Sequence, residues 1–143
     1  MIRTEMGKQK PRYELTDAST SGVLIQDLET ADSFWGRFAG LQLRQDLPKG
    51  KGLLLVPCAS IHTCFMCFSL DLVFLDKTGK VLEVKQGIAP WRAVSAPKQT
   101  YAVLEVRSGN LGPVQIGARL SLRAPAGAFI RPSLSFLNSS GTA

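Results

Sequence analysis

The sequence holds one histidine, His62, and three cysteines, Cys58, Cys64 and Cys67. A disulfide framework needs a larger and even set, so these thiols point to a reducing compartment or to small buried hydrophobes. No apolar run approaches the roughly 18 residues that a membrane-crossing helix requires. No internal repeat is present. The Gly-rich phosphate loop, the nucleophile elbow of serine hydrolases and the metalloprotease His pair are all missing. Lys49-Gly50-Lys51-Gly52 lacks the spacing of a nucleotide P-loop. The first twelve residues are polar and basic, without the apolar core of a signal peptide. A cytoplasmic location is therefore the default expectation.

What is there suits a globular chain. The 143 residues fit one domain of ordinary size, and a hydrophobic fraction of 45% is enough to bury a core. The net charge of +6 raises a nucleic-acid reading, but its distribution argues against one. Arg3, Lys8, Lys10 and Arg12 face only Glu5, in a stretch that reads as a solvated tail. A second excess follows Glu105, where Arg107, Arg119, Arg123 and Arg131 meet no carboxylate. Neither is a run of five or six like charges, and no helix carries a basic stripe.

Residues 1–20 read as a flexible basic tail, residues 21–123 as the body, and residues 124–143 as an extension packed partly on it. Val23-Leu24-Ile25 is a short first strand. Residues 30–43 switch period: Phe34, Phe38 and Leu41 form a helical stripe, with Thr30 or Ser33 able to cap its start and Gly40 to stop it. Residues 53–56 read as a buried strand. Residues 61–75 are too long for one strand and imply two, or a bend near Met66 to Ser69. Asp76-Lys77-Thr78-Gly79-Lys80 is a hairpin turn into residues 81–85. Residues 87–100, with Pro90, Trp91 and Pro97, read as the longest loop, and residues 101–107 and 119–123 as further strands. Phe129, Ile130, Leu134 and Phe136 are available to pack back on the body. Short strands between turns with one helix predict a mainly β fold, a sandwich or small barrel.

Two segments carry a likeness. The first is Ser33-Phe34-Trp35-Gly36-Arg37-Phe38-Ala39-Gly40-Leu41, followed by Leu47-Pro48 and Gly52-Leu53-Leu54-Leu55. The second runs from Pro57-Cys58-Ala59-Ser60-Ile61-His62-Thr63 through Met66 to Leu70-Asp71-Leu72-Val73-Phe74-Leu75-Asp76. It continues with Gly79, Val81, Pro90-Trp91-Arg92, Ala102-Val103-Leu104-Glu105, Gly109 and Ile116-Gly117. Together they resemble domain-of-unknown-function family 192, a prokaryotic family. The resemblance implies a jelly-roll-like β-sandwich with one short amphipathic helix near the N-terminus. It implies no established reaction, ligand or catalytic residue.

Asp71 is the most informative residue. It lies between Leu70 and Leu72, where an unpaired carboxylate would cost several kcal/mol or take up a proton. It needs partners: backbone N–H groups, an arginine, or His62. Glu105, among Ala102 to Val106, poses the same question. Were the two carboxyls adjacent, one would have a raised pKa and serve as an acid. His62 can act as a general base beside a carboxylate, or be satisfied by backbone or Thr63 at a sheet edge.

Cys64 and Cys67 invite a redox or zinc reading with Cys58 and His62. In an extended strand, residues three apart face opposite ways with Cα atoms roughly 10 Å apart, beyond disulfide reach. The spacing is not that of a zinc ribbon or finger, so neither metal nor cofactor is expected. Trp91-Arg92 can stack on a sugar, a base or a partner, or Trp91 can cover one end of the fold.

The leading expectation is a non-enzymatic binding or accessory domain that presents Trp91 and Arg92, with Ser60 and Thr63 around His62, to a small ligand or protein partner. The alternative is a small hydrolase-like or isomerase-like enzyme, with His62 as base, Asp71 orienting it and Glu105 or Ser60 assisting.

Overall fold

Strands that are apolar at nearly every position must be covered on both faces, and β-rich packing around three such strands organises this chain. The computed structural model describes residues 12–31, 46–58, 60–62 and 67–138, the side chains of 60–62 excepted. The strands are β1 (Tyr13–Asp17), β2 (Val23–Ala31), β3 (Lys51–Leu55), β4 (Ser60–His62), β5 (Leu70–Leu75), β6 (Val81–Ile88), β7 (Ala93–Ser95), β8 (Ala102–Arg107) and β9 (Leu120–Arg123). A 3₁₀ helix, Pro132–Leu137, follows. Among the described residues no helix is long and apolar enough to cross a membrane.

Seven strands form one mixed sheet in the order β6-β5-β8-β3-β2-β1-β9, and β4 pairs with β7 separately. Strand β2 runs parallel to β3, while the other neighbours in the large sheet are antiparallel. The sheet curls until its edges meet at one end. There Lys80 bridges Arg119, the Val81 N–H donates to the Ala118 carbonyl at 2.8 Å, and the Leu120 N–H donates to Gly79 at 2.9 Å. The inner face gathers Leu15, Ile25, Leu54, Val73, Leu104 and Leu120. Leu134 and Leu137 of the 3₁₀ helix join the same cluster, each burial contributing about 2 kcal/mol. The outer face carries Leu53, Leu55, Leu72, Phe74 and Val103, with Val94 and Ala96 of the β7 segment packed against it.

The structure corrects several expectations. The fold is mainly β as expected, but the parallel β2–β3 pair makes its large sheet mixed rather than purely antiparallel. A parallel pair needs a long crossover; here it is residues 32–50, and the expected helix falls within it, at residues lying outside those described. Thr30, expected as a helix cap, belongs to β2. Tyr13–Asp17, assigned to the tail, forms a core strand in which Leu15 is fully buried. Residues 87–100 are not one loop, because β6 extends to Ile88 and β7 follows. Phe129 remains 75% exposed, although its carbonyl accepts a bond from the Tyr13 hydroxyl at 2.8 Å.

The β5–β6 turn is held by Asp76, whose Oδ1 accepts from the Thr78 N–H and hydroxyl at 2.7 Å each and from the Lys80 N–H at 3.1 Å. Partial burial pushes the Asp76 pKa up, but these bonds and the charge of Lys80 outweigh it, leaving the pKa below 3.8. Beside it, Gly79 has φ +83°, and a Cβ there would lie 2.9 Å from the Leu120 carbonyl oxygen across the seam.

Two outcomes follow for stability. Gly79→Ala is expected to cost about 3 kcal/mol in denaturant unfolding, part from the left-handed backbone and part from displacing Leu120. Gly127→Ala, at φ +79° in open space, is expected to cost only about 1 kcal/mol. The Asp76 carboxylate stabilises the fold above pH 3.8, and that contribution is lost as pH falls through its lower folded pKa. Asp76→Asn is expected to flatten the stability profile below pH 3.8, measured by urea unfolding.

Candidate functional site

The two-stranded ribbon brings together residues that are distant in sequence. Ser60 pairs with Ser95, Ile61 with Val94 and His62 with Ala93. Trp91 and Arg92 therefore enter the ribbon beside the end of β4 that carries His62. Trp91 is 63% exposed, and Arg92 and Ala93 are exposed with it. The Trp91 backbone has φ +65°, a left-handed conformation that costs a bulky residue about 1–2 kcal/mol. The ribbon is tied to the large sheet by Lys85. Its Nζ donates to the Ser95 carbonyl at 2.9 Å and lies 5.5 Å from the Phe74 ring centroid. Thr63 and the side chains of Ser60 and His62 lie outside what is described.

Asp71 does a different task. It is 3% exposed and points to the inner face at the end away from the seam. Its Oδ1 accepts from the Gly87 N–H and the Ser108 hydroxyl, both at 2.9 Å, and its Oδ2 accepts from the Gly109 N–H at 3.2 Å. The β5–β6 register slips between Leu70 and Leu72, leaving one extra residue on β6. This bulge includes Gly87 at φ +67°, and such bulges leave backbone groups off the ladder. The carboxylate satisfies one of them and ties β6 to the turn after β8.

Glu105 is 4% exposed, yet it lies on the other face. In register, Leu72 stands opposite Glu105 while Asp71 stands opposite Val106. Residues directly opposite in an antiparallel pair share a face and successive residues alternate, so the sheet separates the two carboxylates. Glu105 sits between Leu53 and Leu72, with Arg107 further along the same face. Arg107 pairs with Asp46 and lies 5.5 Å from the Phe68 ring centroid.

Two of the four arginines after Glu105 thus find acids from earlier in the chain, Arg107 with Asp46 and Arg123 with Glu14 at 3.2 Å. Cys67 is an exposed free thiol and Cys58 is half-buried; Cys64 lies outside the described residues. Among the described residues, no three His, Cys, Asp or Glu side chains are grouped to hold a metal. Sequence reasoning missed Gly87, Ser108 and Gly109 as the Asp71 partners. The two glycines are the only signal that could have suggested them. It also missed Gln99, a non-glycine residue at φ +72° beside an open cleft.

The comparisons with known proteins agree on the family and name no chemistry. The model of the family DUF192, described as "Uncharacterized ACR", matches residues 16–122. A UPF0127 protein of Pyrococcus abyssi is 33% identical over 105 residues, covering 70% of this chain and 80% of that protein. A UPF0127 protein of Thermococcus sibiricus is 36% identical over 70 residues, covering 46% of this chain but only 44% of that protein. Among solved structures, a protein of unknown function from Novosphingobium aromaticivorans aligns with TM-score 0.65 at 22% identity, over 83% of this chain and 91% of its own. A Sinorhizobium meliloti protein, provisionally described as a transcription regulator, aligns with TM-score 0.64 at 21% identity, over 85% and 98%. At these identities the two structures share the fold.

Removing the Asp71 carboxylate strands two backbone donors and a hydroxyl. Asp71→Ala is expected to lower stability by about 3 kcal/mol, a Tm fall of roughly 10 °C, and Asp71→Asn by about half as much. Differential scanning calorimetry of the two variants measures both.

Proposed function

We propose that this chain, which belongs to the DUF192 family of uncharacterized proteins, is a non-enzymatic binding or accessory domain. Its recognition surface is the β4–β7 ribbon, with Trp91 and Arg92 at its end. The observation that carries this reading is Trp91. Trp91 is 63% exposed, and it is held in a left-handed backbone conformation two residues before the paired strand β7. Backbone strain that surrounding structure maintains collects at functional sites. Trp and Arg also dominate binding hot spots, because each offers a wide contact area with a polar handle. The partner is a small ligand or a protein, and a reducing, cytoplasmic setting belongs to the same proposal, supported by the exposed free thiol of Cys67.

The enzyme alternative has less support. It needs Asp71 and Glu105 to converge with His62, but Asp71 is occupied by three donors on the inner face and Glu105 lies on the opposite face of the sheet. A nucleic-acid surface is also less favoured, since Arg107 and Arg123 are both engaged with carboxylates.

A photo-crosslinking amino acid placed at exposed Ala93 tests the proposal in cells that express the protein. A discrete adduct is expected, absent when the same group replaces Gln115 on a distant turn. Trp91→Ala or Arg92→Ala in the Ala93 background is expected to weaken the interaction about tenfold or more and to remove the adduct. Equal labelling from both positions, or an adduct indifferent to Trp91 and Arg92, contradicts the proposal.

A further inference from the structure

A cleft of about 400 Å³ opens between the β5–β6 turn and the loop entering β8, lined by Asp76, Lys77, Thr78, Gln99, Thr100 and Tyr101. Its aromatic wall is fixed in place. The Tyr101 N–H donates to the Leu75 carbonyl at 2.7 Å, and the Tyr101 carbonyl accepts from the Cys58 N–H at 2.8 Å. The ring meets Phe136 edge-on, with centroids 5.1 Å apart and planes at 82°. Such a ring is a half-buried, preorganised platform rather than a mobile surface side chain.

Polar groups surround that platform with hydrogen-bonding capacity left over. Asp76 spends Oδ1 on the turn, and among the described residues its Oδ2 accepts no bond. The Lys77 Nζ lies 6.0 Å from the Tyr101 ring centroid and enters no ion pair there. The Thr100 hydroxyl donates to the Pro97 carbonyl at 2.7 Å, which leaves its lone pairs as acceptors. Gln99, at φ +72°, makes no side-chain hydrogen bond among the described residues. A glycine would adopt that backbone at no steric cost, so the position carries an amide side chain at the expense of local stability.

The charges choose the ligand class. Asp76 and Lys77 balance each other, so an anion or a cation would leave one of them unanswered. A neutral ring with one C–H face and vicinal hydroxyls answers all of them. The face lies on Tyr101, while each hydroxyl donates to a carboxylate and accepts from an ammonium or amide. We propose that this cleft binds a neutral pyranose sugar, stacked on Tyr101 and hydrogen-bonded by Asp76, Lys77 and Gln99. The site is separate from the Trp91 ribbon and does not depend on it.

The test is amide chemical-shift mapping of the full chain with the methyl pyranosides of glucose, galactose and mannose at millimolar concentration. Glycine and sodium acetate serve as charged controls. At least one pyranoside is expected to shift amides confined to residues 76–78 and 99–101, and Trp91→Ala is expected to bind it equally. Gln99→Gly relieves the backbone and is expected to raise thermal stability while weakening the sugar about fivefold. Lys77→Ala, on an exposed turn, is expected to weaken it by a similar factor. No shift with any pyranoside, stronger binding of glycine or acetate, or unchanged affinity in both variants overturns the assignment.

Discussion

The buried carboxylate of Asp71 is the constraint around which the rest of the molecule is arranged. A charge on the inner face of an apolar sheet is tolerated only when its oxygens are saturated by donors. Gly87, Ser108 and Gly109 saturate them. Meeting that demand determines backbone well beyond β5. The β6 bulge must turn an N–H inward at Gly87, and the turn after β8 must do so at Gly109. The chain leaving β6 at Ile88 then leads directly into Pro90, Trp91 and β7. An internal electrostatic requirement thereby positions the surface proposed for recognition.

The two ends of the curled sheet are held by different means. At one end backbone does the work: Gly79 and Leu120 approach so closely that a Cβ cannot stand between them, and Lys80 bridges Arg119. At the other end the Asp71 side chain ties β6 to the turn after β8, the two neighbours of β5. Both candidate binding regions lie outside these closures. The ribbon covers the outer face through Val94 and Ala96, and the cleft opens beside the seam turn. Asp71 holds the fold and Trp91 is offered to ligands, whereas Asp76 serves both tasks, the turn through one oxygen and the proposed cleft through the other.

Much of this was legible in the sequence where local chemistry decides. The β8 strand and the Asp76 turn follow from apolar patterning and turn residues. The need of Asp71 for partners follows from Leu70 and Leu72 on either side. The partners themselves were not legible, because they come from Gly87 and from Ser108-Gly109, far along the chain. Strand β2 was seen only at its start. Ile25 and Leu28 both face inward although three apart, because the N–H groups of Gln26 and Asp27 both donate to the Gly50 carbonyl in a bulge that breaks the alternation. Strand β1 was lost for the opposite reason, its Tyr13 and Leu15 alternation being too short to stand out from a polar stretch. The proximity of Trp91 to β4 depends on a pairing that no spacing rule foretells. The separation of Asp71 from Glu105 is a matter of register, which a sequence with several strands does not specify by itself.

The central claim is that Asp71 is an internal clamp, with both oxygens engaged in the resting fold. Residue-resolved amide hydrogen exchange on the unmodified protein tests it most directly, at Gly87 and Gly109. Amides bonded to a buried carboxylate open only with the surrounding sheet. The account predicts that both exchange as slowly as the β5 and β8 amides beside them. Exchange at the rate of the open turn at Gly127 would contradict it, leaving Asp71 available for chemistry after all.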